Sequence, residues 1–502
     1  MRALLLAALL LAPAAPAAAQ APVEPPSAPA LDAAMPELDA IFRRYMEEQH
    51  VPGLVYGIVR DGQLVLVRPM GVQDLATKRP VTPDTLFRIA SMSKAFTALA
   101  ILKLRDAGRL SLDAPAETYV PEMRGWKYPT ADSPKIRVRD LLSHAAGFVT
   151  DDPWGDRQTP MPEADFTRLL RAGVPFQRAP GTAYEYSNLG FAILGRIVTN
   201  VSGRPFEDYI QAEIMRPLGM AFTGYDYTKA PQERRALGYR WENGAWLREP
   251  DLARGAFGAM GGVQTSARDY ARWIGLLLSA WPPRDGAETG PARRASVREL
   301  AQGLDFPQLL RRPGGPDDCF QAMTYGMGLR VAADCSLGLS LAHGGGYPGY
   351  GSYMLLFPER GVGLFAFTNR TYGGPAPAVW QAAAALQKAG WLPPPRAIPA
   401  SPAVLAAYQS AKTIWRTGSI EAAPGSLAMN FLMDRTAANW SADLARAKAE
   451  VGDCRTDGPI TPAGALQAHF TWTCERGRIE GDFLLAPTNP PTIQALRFVP
   501  AH

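Results

Sequence analysis

The chain has 502 residues, of which 47% are hydrophobic and 20% charged, and its formal net charge is +5. That length predicts two to four domains and a large buried core. So small a charge excess, with both signs mixed along the chain, argues against a nucleic-acid partner.

The chain opens "MRALLLAALLLAPAAPAAAQ". Arg2, an apolar run and a small-residue end make the pattern of a signal peptide, with cleavage after Ala19. An uncleaved anchor is the alternative, but the run is about half the ~20 residues that span a bilayer. No other stretch holds 18 clean apolar residues. The expectation is an exported protein, periplasmic or secreted, with no stable membrane span in the mature chain.

Residues 20–35, rich in Pro and Ala, read as a flexible lead-in. "ELDAIFRRYMEEQHVPG" reads as an amphipathic helix stopped by Pro52-Gly53. Two strand-like runs around Asp61-Gly62 predict a hairpin. From Ser91 the period changes. "SMSKAFTALAILKLRDAG" is apolar nearly all round and predicts a buried helix ending at Gly108. Residues 109–335 read mostly as helices and loops. Strands return in "LGLSLAHGGG", "GSYMLLFPER" and "GVGLFAFTNR", and "PAVWQAAAALQKAG" predicts a closing helix.

Strands thus lie at both ends of a unit over residues 36–390, with helices between. The economical fold is α/β (α+β): one mainly antiparallel sheet flanked by helices, built from both ends, with an all-helical lobe inserted. Residues 391–402 read as a semi-rigid proline linker. Residues 403–502 predict a small α+β domain, with a helix near 441–451 and strands at 465–474, 479–486 and 492–499. The four cysteines fall into two local pairs, Cys319 with Cys335 and Cys454 with Cys474. Export permits both disulfides, and this is the simplest connectivity. A zinc site built from all four is the rival, disfavoured because no C-x-x-C pair occurs.

The run His343-Gly344-Gly345-Gly346 has the letters of a lipase oxyanion loop, but the chain has no G-x-S-x-G nucleophile elbow to go with it. H-E-x-x-H and Walker patterns are also absent. What remains is Ser91-Met92-Ser93-Lys94. On a helix starting at Ser91, Ser91 and Lys94 share a face with Cβ atoms about 5–6 Å apart. A Lys among Phe96, Leu99 and similar groups loses proton affinity and becomes a usable base.

"LFRIASMSKAFTALAILKL" resembles the nucleophile segment of the penicillin-recognising serine hydrolases. The resemblance is closest to the branch of class C β-lactamases, D-aminopeptidases, D-Ala-D-Ala carboxypeptidases and related esterases. "VRDLLSHAAGF", "YEYSNLGFAILGRIV", "MRPLGM", "GAMGGVQTSARDYARW" and "HGGGYPGYGS" follow in the family's order. The resemblance covers about residues 36–390 and implies that Ser91 is the nucleophile and Lys94 its partner. It matches the family's Tyr-x-Asn to Tyr186 and Asn188, and its Lys-Thr-Gly or His-x-Gly element to His343, Gly344 and Gly345. A Tyr near a Lys can be held partly deprotonated, and would then accept the Ser91 proton and return it to the leaving group. Gly346 and Ser91 main-chain N–H groups are implied as the oxyanion donors, each worth about 2.7–4 kcal/mol in a transition state. His144 reads as structural, near a loop beneath the site.

Two departures bear on substrate. His343 stands where the β-lactamase form has a permanently charged Lys, and its reference pKa near 6.5 leaves it mostly neutral at neutral pH. Gly344 removes a hydroxyl that would hold a carboxylate. The expectation is therefore a serine hydrolase acting on an ester or amide, or on a D-residue peptide gripped at its N-terminus. Its partner is a small-molecule or peptide substrate, and it needs no cofactor and no metal. A D-Ala-D-Ala carboxypeptidase, a β-lactamase, and a catalytically silent binding protein on the same fold are the alternatives.

Overall fold

A computed structural model describes residues 28–311 and 320–502. The expected signal peptide lies outside the described residues, as does Cys319 of the expected Cys319–Cys335 bridge.

Helix α1 (Ala28–Glu48) is followed by strands β1 (Gly53–Arg60), β2 (Gln63–Asp74) and β3 (Arg79–Pro80). Residues 28–35, expected as flexible lead-in, are the first turns of α1. Their alanines favour helix, and Ala30, Leu31 and Ala34 pack on the same apolar cluster as Leu38 and Phe42. The β1–β2 hairpin turns on Asp61 and Gly62, with φ 49° and 80°. Two positive φ values make the type I′ geometry that suits the twist of the flanking strands.

Helix α2 (Lys94–Asp106) begins the helical lobe, which includes α3 (Asn188–Ser202) and α4 (Ala267–Ser279). The chain then returns to the sheet through β4 (Asp305–Arg311), β5 (Phe320–Tyr325), β6 (Arg330–Asp334), β7 (Gly338–Tyr347), β8 (Tyr350–Phe357) and β9 (Val362–Thr368). Helix α5 (Ala376–Lys388) closes the unit. The nine strands form one antiparallel sheet in the order β3-β2-β1-β9-β8-β7-β6-β5-β4. A sheet built from both chain ends is therefore present. Strands β4 to β6 are a correction, because they lie in a stretch expected to be helix and loop. β4 carries a Pro and leaves Leu309 70% exposed, so it shows no in-out alternation to read.

Strands β1 and β9 are buried along nearly their whole length. Antiparallel strands usually alternate, but here helices cover both faces, so both faces are apolar. One face packs on the lobe, where Phe96 stacks on Trp273 at 3.9 Å. The other packs on α1 and α5, where Phe42 stacks on Tyr56 at 4.0 Å.

The C-terminal region has its own core and its own sheet. Helices α6 (Pro402–Thr417) and α7 (Ala437–Val451) pack on strands β10 (Ile460–Gly464), β11 (Gln467–Cys474), β12 (Gly477–Leu485) and β13 (Ile493–Ala501), paired in that order. Strand β11 alternates cleanly, with Ala468, Phe470 and Trp472 inward. Helix α6 and strand β10 were not expected. The proline that starts α6 at its first position reads in sequence as the end of the linker, and Ser401 caps it by accepting from Val404 N–H at 3.1 Å. Cys454 and Cys474 are disulfide-bonded. Closing a loop of this length restricts the unfolded chain by about 3 kcal/mol in the loop-entropy account. Replacing both cysteines by Ser is expected to lower the stability of this region by about 2–3 kcal/mol, read as an earlier denaturant midpoint of Trp fluorescence.

Candidate active site

The chain enters α2 through a short 3-10 turn, Ala90–Ser93. Ala90 has φ 48°, an uncommon conformation for a residue with a Cβ, and it sets Ser91 at the mouth of a cleft. The turn is gripped from two sides. Ile89 N–H donates to Val263 O at 2.9 Å, and Val263 N–H donates to Ser93 Oγ at 3.0 Å. Ser352 Oγ of β8 donates to Ile89 O at 2.8 Å.

Lys94 is completely buried. Its Nζ lies 3.0 Å from Ser91 Oγ, 2.7 Å from Asn188 Oδ1 and 3.0 Å from Met260 O. The last two partners can only accept, so they take two N–H donors. Burial pulls the Lys94 pKa down to about 8, opposed by the negative charges of Asp152, Asp156 and Asp151. A neutral amine has two N–H groups, so with both engaged its lone pair is left for Ser91 O–H, the one partner of the three able to donate.

Tyr186 lies just before α3, whose N-cap Ser187 accepts from Gly190 N–H at 3.1 Å. Tyr186 lines the cleft with Ser91, and its ring centroid is 4.9 Å from Lys94 Nζ. Burial raises its pKa well above 10. The partly deprotonated Tyr expected from the sequence is therefore replaced by a neutral phenol: the same burial that disfavours a charged Lys disfavours a phenolate. His144 supports this Tyr. Its ring is 4.3 Å from that of Tyr186, and its Nδ1 accepts from Ser187 N–H at 3.1 Å.

His343, Gly345 and Gly346 lie on β7. That strand is interior to the sheet, yet β6 pairs only with its residues 338–342. Among the described residues no strand pairs with 343–347 on that side, and Gly345 there lies against Ile89 and Ala90 of the turn that carries Ser91. Gly345 is required there: a Cβ would stand 2.3 Å from both Ile89 O and Ser352 Oγ. Gly346 sits against the Tyr372 ring. His343 is buried, with Nδ1 2.6 Å from Gly344 O and Nε2 2.8 Å from Tyr325 Oη. A carbonyl only accepts, so Nδ1 carries the proton and Nε2 accepts from Tyr325. Burial, with Lys94 and Arg330 nearby, pulls its pKa down to about 3. The ring is neutral.

The cleft encloses about 810 Å³. Ser91, Tyr186, Gly345 and Gly346 meet at one part of its wall, with Asp152, Asp156 and Tyr372. It continues past Arg330, Ala342, Tyr353 and Trp380. Sequence reasoning brought Ser91, Lys94, Tyr186, Asn188, His343 and the glycines together, and the structure places all of them in or beside this cleft. It missed Met260, Tyr325, Arg330, Tyr372 and the loop that holds Asp151, Asp152 and Asp156. "GAMGGV" was among the resembling segments and was given no role; its Met260 carbonyl is a Lys94 partner.

Residues 38–388 match the Beta-lactamase family model. Protein flp of Staphylococcus aureus strain COL is 28% identical over 339 residues, covering 66% of this chain and 62% of its own. This chain thus spans about three fifths of that relative. Esterase EstB of Burkholderia gladioli is 34% identical over 228 residues, 43% of this chain and 57% of its own. Among solved structures, an octameric penicillin-binding protein homologue from Pyrococcus abyssi superposes with a TM-score of 0.60 at 21% identity, covering 90% of this chain and 96% of that one. A class C beta-lactamase from Rhodobacter sphaeroides gives 0.53 at 25% identity, covering 70% of this chain and 98% of that one. With the fold and a family match over most of its length, the chain belongs to the beta-lactamase family of serine hydrolases.

Proposed function

We propose that this protein is an exported serine hydrolase that cleaves ester or amide bonds through an acyl-enzyme on Ser91. The observation that carries the reading is the buried Lys94 amine, whose two other partners are obligate acceptors and whose lone pair is left for Ser91. The Ser91 Oγ attacks the substrate carbonyl and its proton passes to Lys94 Nζ. Main-chain N–H groups of Ser91 and Gly346 receive the oxyanion. Tyr186, a neutral phenol beside Ser91 in the cleft, donates its proton to the leaving group and is recharged from Lys94. Water then attacks the acyl group, with the same two residues returning the proton to Ser91. Export is supported by the N-terminal pattern and by the Cys454–Cys474 bridge, which belongs in an oxidising compartment. The esterase relative supports ester substrates.

A second reading is hydrolysis of peptides that end in a carboxylate, and one observation favours it. Arg330 lines the cleft, and among the described residues the one hydrogen bond of its guanidinium goes to the Met323 sulfur, at 3.9 Å. Neutral esters, D-amino-acid amides and carboxylate-ended D-peptides assayed side by side separate the two. Arg330→Gln should spare ester turnover and, in the second reading, raise KM for the carboxylate-ended substrates only.

Ser91→Ala is expected to abolish hydrolysis of p-nitrophenyl esters and covalent labelling by a fluorophosphonate; undiminished turnover would sink the proposal. Tyr186→Phe is expected to lower kcat by roughly 10²–10⁴. The pH profile carries a sign. A depressed Lys94 pKa means that the active amine accumulates as pH rises, so kcat/KM should climb towards pH about 8 and fall below it. His343 adds no descending limb near its reference value, because its pKa is pulled down to about 3 and its charge state is constant there. A kcat/KM that declines from pH 6 to 8 would contradict both assignments.

A further inference from the structure

The loop after the helix at Val138–Leu142 carries "DDPWGDRQ", and three of its residues are carboxylates beside the candidate base. They do different things. Asp151 caps α3, accepting from Asn188 N–H at 2.7 Å and Leu189 N–H at 2.8 Å. Asp156 is buried and lines the cleft beside Tyr372. Asp152 is exposed to the cleft, and its Oδ1 accepts from the Asn188 side-chain Nδ2. The other end of that amide, Oδ1, accepts from Lys94 Nζ at 2.7 Å, and Nζ reaches Ser91 Oγ at 3.0 Å.

We propose that Asp152 is a positioning residue for this site: by holding the Asn188 amide with its oxygen towards Lys94, it fixes the lysine amine on Ser91. The inference rests on the reading of Ser91 as nucleophile and Lys94 as base. An amide has two chemically opposite ends, and a flip would set its NH₂ against the lysine donors and its oxygen against the carboxylate. Both contacts are repulsive, so the carboxylate selects one orientation. The loop is pressed onto the amide to make this contact. A Cβ at Gly155 would lie 2.6 Å from Asn188 Cβ and 2.8 Å from its Nδ2, so the close approach needs a glycine.

The role is separable from folding. Asp151, not Asp152, holds the α3 backbone, and Asp152 is solvent-exposed, so its removal opens no cavity and leaves Asp151 and Asp156 as negative charges near Lys94. It also has an electrostatic signature. The groups facing Lys94 are Asp151, Asp152 and Asp156 from this loop, the Tyr186 phenol before α3, and the neutral imidazoles of His144 and of His343 on β7, with Arg330 of β6 beyond. Of these the carboxylates favour the protonated amine, and Arg330 opposes it. Removing one carboxylate therefore makes the amine easier to deprotonate.

The test compares wild type, Asp152→Ala and Asp152→Asn by the rate of fluorophosphonate modification at Ser91 across pH, with kcat and KM for a p-nitrophenyl ester. Asp152→Ala is expected to slow both the modification and kcat by on the order of tenfold to a hundredfold, with KM little changed. Asp152→Asn keeps an acceptor for the Asn188 NH₂ and should recover most of that rate at about pH 9, above the Lys94 value. In both variants the acid limb should move to lower pH by about half a unit or more. Variants that both react like wild type, or that slow with the acid limb unmoved, overturn the proposal. A wild-type protein whose Ser91 does not react overturns the hydrolase reading itself, and this inference with it.

Discussion

The site depends on one buried amine. A lysine with no exposed surface is costly unless its donors are satisfied, and Lys94 is satisfied by groups from three separate parts of the chain. Ser91 comes from the turn before α2, Asn188 from the first residue of α3, and Met260 from the short helix Gly258–Gly261. Each must be in place for the lysine to be buried at low cost. The packing of the lobe and the reactivity of the serine are therefore one problem. The same burial that depresses the lysine pKa raises that of Tyr186, so a single environment favours a deprotonated amine beside a protonated phenol.

The sheet supplies the second half of the site by stopping short. β7 is flanked by β8 along residues 341–347 but by β6 only up to Ala342. Beyond that point its main chain is free to face the nucleophile turn, and Gly345 lets the two backbones meet. Ser352, one strand further in, ties the turn to β8. The proposed oxyanion edge thus lies on an interior strand whose neighbour ends early, so its position is fixed by the core and not by a loop.

Features carried by short-range pattern were legible in the sequence. The Asp61-Gly62 turn, the apolar runs of β7 to β9, and the spacing of Ser91 and Lys94 on an apolar helix each declare themselves within a few residues. Tyr186 and Asn188 were legible only through resemblance, since nothing local says that they meet a lysine 94 residues from Asn188. β4 was lost because an exposed edge strand needs no alternation, β5 and β6 because neither carries a clean in-out apolar alternation, and α6 because its starting proline looks like linker. Met260 was unreadable in principle: it acts through its carbonyl, and a carbonyl leaves no mark in a side-chain alphabet. Asp152 was hidden the same way, since its importance lies in which end of another residue's amide it touches.

These omissions bear on substrate. From sequence, His343 stands where the β-lactamase form has a charged Lys, and only a protonated ring could hold a carboxylate there. Burial removes that option: its Nδ1–H is spent on Gly344 O, its Nε2 accepts from Tyr325, and Lys94 and Arg330 both disfavour a third charge nearby. Arg330 lies on β6, opposite Ala342 in register, one residue before His343 along β7. Charge recognition on that side of the cleft would then rest on guanidinium groups, Arg330 on β6 and Arg311 on β4, both on strands that the sequence pattern did not reveal. A guanidinium stays charged at every working pH. Recognition through Arg330 would therefore be insensitive to pH across the range in which Lys94 titrates, whereas recognition through a histidine would have tied binding to a second titration.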